Sequence, residues 1–146
     1  MNITTYKSSG TWQGTLSDGQ GNLAFGPIET QHSVPQDLGG KGIGTNPEEL
    51  IVSAASSCFL ITLGAIFQFK NVSYKSLQVN SEADFEVTQM GPQMRAIRHH
   101  VKVFVDANGE AADVESYIKD AEKGCMISAA LSGNVSVSAS GTIIQE

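Results

Sequence analysis

Residues 45–69 read TNPEELIVSAASSCFLITLGAIFQF, and the reading of this stretch decides the fold. Its beginning is marked as a helix N-terminus. Asn46 can accept from free backbone amides, Pro47 suits the first helical position, and Glu49 stands where a capping box wants a carboxylate. Glu48 and Glu49 also lie at the positive end of the helix dipole. From Leu50 to Phe69 there are 20 residues without a charge, enough to span a bilayer. Ser53, Ser56, Ser57, Thr62 and Gln68 interrupt that run, and strand patterns surround it. We read it as a central core helix, apolar on every face and ending near Lys70, with no membrane span. Cys58 sits inside it, preceded by the small residues 53–57. A buried free cysteine is ordinarily a small hydrophobe, and that plain reading stands beside a functional one.

Working outward, the first 30 residues alternate polar and apolar with glycine breaks. They predict two or three short antiparallel strands, with a turn at Ser17-Asp18-Gly19. Residues 35–44 predict a glycine-rich loop. After the helix, 76–89 and 94–107 alternate as two strands around the turn MGPQ. Ala112, Val114, Tyr117, Ile118 and Ala121 then fall at helical spacing within 111–123, and Gly124 stops that helix. A short helical run MISAAL and a final strand over 133–144 close the chain. The class predicted is α+β in a single domain, 1–146, with antiparallel sheet packed on helices. A helix apolar on all sides needs cover on all sides. Six or so short strands do not wrap it, so a homodimer is expected.

Composition narrows the function classes. The net charge is −6 with nine Lys+Arg and no basic run, which argues against a nucleic-acid partner. The N-terminus shows no charged-then-apolar leader, so a reducing cytoplasmic location is expected, where two cysteines are thiols rather than a permanent staple. Cys58 and Cys125 fit no zinc spacing, and no cofactor or metal is expected. His99 and His100 are strand neighbours and point to opposite faces, as do Arg95 and Arg98 at odd spacing.

GTNPEELIVSAASSCF (44–59) together with AEKGCMISAAL (121–131) resembles the OsmC/Ohr family of thiol-dependent organic hydroperoxide reductases. The resemblance covers most of the chain: a strand-rich start, a glycine loop, GTNPEEL, a cysteine ten residues after the first Glu, and a second cysteine in a GC-x-[VI]-S context. It implies an intertwined homodimer, with antiparallel sheets of both chains around two central helices. It also implies Cys58 as peroxidatic thiolate, Cys125 as the resolving thiol that closes a disulfide, and Glu48 in the polar set that holds the reactive cysteine. An organic hydroperoxide would be the substrate and a dihydrolipoyl-type dithiol the reductant.

Helix geometry adds a condition. Ten residues at about 1.5 Å rise separate Glu48 from Cys58 by roughly 15 Å along one helix. If both serve one site, two copies of the helix run antiparallel and cross near Ser53, among the small residues. The chain departs from the family in two places. The family's activating arginine lies upstream of GTNPEE, where this sequence has none; its two arginines are Arg95 and Arg98, with Lys41 and His32 as other candidate cations. Met126 stands where the family often has Pro. A thiolate needs positive charge or aligned donors. The alternative to a peroxidase is therefore a non-catalytic OsmC-like protein that binds an apolar small molecule or senses thiol oxidation.

Overall fold

A computed structural model describes residues 2–106 and 113–146 of the chain. Two compact units emerge, Met1–Leu50 and Ile51–Glu146. The first holds an antiparallel three-stranded sheet of β1 (Ser9–Gly10), β2 (Gly21–Phe25) and β3 (Ile28–His32), in that order. The turn before β2 is closed by Asp18, whose carboxylate accepts from the Thr15 N–H at 2.8 Å and from its hydroxyl at 2.6 Å. The expected glycine-rich loop contains one 3-10 turn, Gln36–Leu38, and Ser33 Oγ ties down its far end through the backbone of Ile43.

Helix α1 spans Pro47–Phe69. Asn46 Oδ1 accepts from the Glu49 N–H at 2.8 Å, as its position predicts. Glu49 does not complete a capping box: its carboxylate accepts instead from the Thr45 hydroxyl at 3.0 Å.

In the second unit, β4 (Ser76–Thr88) and β5 (Gly91–Val105) form a long antiparallel hairpin, turned through Gln89 and Met90 into Gly91 at φ 104°. Next come α2 (Val114–Gly124), α3 (Met126–Leu131) and β6 (Ser136–Gln145). Residues Ala107, Ala111 and Ala112 of the expected strand and helix lie outside the described residues. The expectation of purely antiparallel sheet fails at one pairing: β6 lies parallel to β5. The two helices carry the chain back to the end where β5 began, which is what a parallel neighbour requires.

Packing of α1 also differs from an all-round core helix. Ala55, Phe59, Leu63 and Phe67 are buried, a stripe at four-residue spacing. Phe59, Leu63 and Phe67 pack with Val101, Val103 and Val105 of β5 and with Val114, Ile118 and Ala121 of α2. Ser53, Ala54, Ser57 and Ile61 are exposed, Ile61 at 71%. By length and composition α1 could cross a membrane, but a single chain seats one side of it in this core. The reason is size: three strands and two short helices cover one face of a 23-residue helix and no more.

A β-bulge changes the outer face of this sheet. Asp84 pairs with Ala96 and Phe85 with Met94, so Arg95 is the extra residue. Arg95 and Arg98 were expected on opposite faces; the bulge turns both toward Glu82, Asp84 and Glu86 along one face of β4. Arg98 makes a bidentate pair with Asp84 at 2.7 and 2.9 Å, and Arg95 Nε meets Glu86 at 2.8 Å. His99 and His100 do face opposite ways. His100 is exposed, whereas His99 is 1% exposed, stacks on Phe59 at 4.8 Å between ring centres, and bonds Ser81 Oγ through Nδ1 at 2.6 Å. Its Nε2 is buried with no partner among the described residues.

Leu63→Ala is expected to cost about 2–5 kcal/mol, read from urea unfolding, because the cavity falls between two helices and a strand. Burial, and secondarily His100, hold the His99 imidazole below the ordinary histidine range. The unfolded chain therefore takes up this proton first. His99 adds its stability above about pH 6.5 and loses it as pH falls toward the lower folded value. The acid side of a stability–pH curve should flatten in His99→Gln.

Candidate functional site: a paired thiol at the corner of two helices

Cys58 follows from the packing of α1. With Phe59 driven into the core, the preceding side chain lies about 100° around the helix, on its flank. Cys58 is accordingly half-buried. Cys125 occupies the break between α2 and α3, where its extended backbone (φ −70°, ψ 128°) ends one helix and its carbonyl accepts the first α3 bond, from Ala129 N–H at 2.9 Å. It is fully buried. Sixty-seven positions apart in sequence, Cys58 and Cys125 lie near enough for each to shift the other's thiol.

The two sulfurs are polarised in opposite directions. Burial pushes the Cys58 thiol up. Hydrogen bonds from the Cys125 thiol, from the Ile127 and Met126 backbone N–H groups and from the Thr62 hydroxyl together outweigh that, and the net direction is below the ordinary thiol value. The Thr62 Oγ1 to Cys58 Sγ distance is 4.0 Å. For Cys125 burial is the largest influence and raises the thiol, as does its bond to Cys58. Backbone N–H groups of Ser128 and Ile127 pull the other way without cancelling it. The Cys58 thiol is thus pushed down and the Cys125 thiol up.

Among the described residues, no cation stands with the groups that act on Cys58. Of the four candidates, Arg95 and Arg98 are held by the β4 carboxylates, Lys41 Nζ bonds Gln20 Oε1 at 3.2 Å, and His32 Nε2 bonds the Thr11 carbonyl at 2.8 Å. Neutral donors do the work instead: one thiol, two backbone amides and one hydroxyl, which a search for charged residues overlooks. Thr62 was legible only as a polar interruption of an apolar run. The signal that could have found it is its i+4 spacing from Cys58. Glu48 lies ten residues before Cys58 on α1, and a carboxylate does not reach across that rise within one helix. Its Oε2 is buried and accepts no hydrogen bond among the described residues.

A sequence profile described as OsmC-like protein matches residues 39–140. An uncharacterised protein of Bacillus subtilis, YmaD, is 35% identical over 127 residues, covering 85% of this chain and 84% of that protein. Among solved structures, the organic hydroperoxide resistance protein OsmC of Legionella pneumophila superimposes with TM-score 0.76 at 23% identity, covering 96% of this chain and 99% of that one. The organic hydroperoxide resistance protein OhrB of Bacillus subtilis gives TM-score 0.70 at 18% identity, with 94% and 98% coverage. The chain belongs to the OsmC-like family, and its α+β fold is that of the OsmC/Ohr structures.

Iodoacetamide should label Cys58 well before Cys125, with a labelling midpoint for Cys58 below that of a free thiol, near pH 8.5. Peptide mapping over a pH series reads both.

Proposed function

We propose that this protein is a thiol-dependent peroxidase that reduces organic hydroperoxides to alcohols. The observation that carries the reading is the thiol pair itself: a half-buried cysteine beside a buried one, the first thiol pushed down and the second up. Membership of a family with organic hydroperoxide resistance proteins among its structures supports a redox role of this type.

The chemistry balances on these two residues. The Cys58 thiolate attacks one oxygen of ROOH and the O–O bond breaks. The leaving alkoxide takes a proton from solvent and departs as ROH, and Cys58 is left as a sulfenic acid. Cys125 then attacks that sulfur and water leaves, closing a Cys58–Cys125 disulfide before further oxidation. A dithiol of the dihydrolipoyl type, oxidised to its own disulfide, returns both thiols. The donors on Cys58 from Ile127, Met126 and Thr62 act in the direction a guanidinium would, with a weaker field.

A homodimer in the reducing cytoplasm belongs to this reading. Ser53, Ala54, Ser57 and Ile61 form an exposed flank of α1, small enough at its centre for a second helix to approach closely. In an antiparallel pair the partner helix would bring its own Glu48 toward Cys58, and the unbonded Glu48 Oε2 would have somewhere to turn. That no cation among the described residues acts on Cys58 favours a second reading, a non-catalytic member that binds an apolar molecule or reports thiol oxidation.

Turnover of cumene hydroperoxide with dihydrolipoamide decides between the two. Cys58→Ser should lose activity entirely. Cys125→Ser should still consume one equivalent of peroxide but fail to cycle, leaving a Cys58 sulfenic acid that dimedone traps. A wild-type protein that consumes no peroxide, with both thiols reduced and Cys58 open to alkylation, would establish the second reading.

A further inference from the structure

We propose that Thr62 is a positioning residue for the thiol pair, its hydroxyl donating to the Cys58 thiolate while its methyl braces the end of α2 that carries Cys125. The inference rests on reading Cys58 as the reactive thiol. Thr62 is one turn beyond Cys58 on α1, so the two side chains share a flank of the helix. A threonine inside a helix ordinarily turns its hydroxyl toward the carbonyl four residues back. The side-chain contact Thr62 makes here is with the Cys58 sulfur, at 4.0 Å. Either atom can donate while the thiol is protonated. Once it ionises, only Thr62 has a proton to give, so the contact strengthens with the charge.

The other branch of the side chain faces a different element. A Cβ built on Gly124 would lie 3.6 Å from Thr62 Cγ2, so the methyl faces the last residue of α2 with no side chain of that residue between them. Cys125 is the next residue. Hydroxyl and methyl are fixed to one Cβ, and a β-branched residue in a helix has few χ1 choices. A single rotamer therefore sets the donor on one sulfur and the seat of the peptide that carries the other. Neither role needs a charge, and burial of Thr62 is only partial. Neither GTNPEE nor the GC-x-[VI]-S pattern includes this position.

Two conservative variants separate the branches. Thr62→Val keeps the methyl and loses the hydroxyl; Thr62→Ser does the reverse. Cys58 alkylation by iodoacetamide is followed from pH 5 to 10, and closure of the Cys58–Cys125 disulfide is followed after adding diamide, which oxidises a dithiol without any peroxide. Thr62→Val should raise the labelling midpoint and leave a few-fold less thiolate at pH 7. Thr62→Ser should keep the wild-type midpoint but close the disulfide several-fold more slowly. Thr62→Ala, which suits a helix, should show both defects, and it answers the question if the valine variant does not fold. A labelling profile in Thr62→Val or Thr62→Ala that overlays the wild type overturns the donor role. Unchanged closure in Thr62→Ser overturns the bracing role. Both readouts proceed without hydroperoxide turnover. A wild-type protein inactive toward hydroperoxides yet with a Thr62-dependent midpoint would sink the peroxidase and leave this inference standing.

Discussion

The seating of one stripe of α1 is the constraint on which the rest of the structure depends. Ala55, Phe59, Leu63 and Phe67 are the positions that β5, α2 and the second small cluster around Ile97 cover. Each large side chain so buried contributes on the order of 1.5–3 kcal/mol relative to exposure. That energy fixes the rotation of the helix about its axis. Once Phe59 points inward, Cys58 and Thr62 have one flank available to them, and the α2–α3 corner meets that flank. A rotation of one residue would put a phenylalanine at the corner and the thiol in the core. The placing of the two cysteines is thus a by-product of hydrophobic registration.

The electrostatics of the pair follow from what surrounds it rather than from net charge. A thiolate in partial burial is costly unless donors are already aimed at it. Here they are amides at the start of α3 and a hydroxyl one turn along α1. Amides fixed by a helix need no reorganisation and carry no counter-ion. They provide less field than a guanidinium, but they also demand no carboxylate to hold them. The two arginines of the chain are occupied elsewhere, because the bulge at Arg95 aligns both with a row of β4 carboxylates. An exposed network of that kind adds little stability. Its effect on the site is negative in the simple sense that it keeps those cations away.

Much of the architecture was legible in the residues, for identifiable reasons. Helix α1 announced itself through Asn46 and Pro47, since capping is local chemistry that no distant contact overrides. The hairpin β4–β5 and the helices at 114–131 showed their periods, two and 3.6. Both cysteines were singled out, and the structure brings them together. The parallel pairing of β6 was not legible, because a strand pattern records which face is buried and not which way the neighbour runs. Nor was the bulge, which takes one residue out of register without changing composition. Glu49 had the residue type of a capping box, yet Thr45 offered its carboxylate a nearer donor.

By itself, the order of residues determined the identity of the elements, the family and the pair of sulfurs, because propensity, capping and motif spacing are properties of neighbours in the chain. Tertiary structure alone decided the direction in which each sulfur is pushed, the donors that push it, and how much of α1 one chain can cover. Those depend on groups 60 or more positions apart being brought within a few ångströms, and hydrogen bonding and desolvation act only over that range.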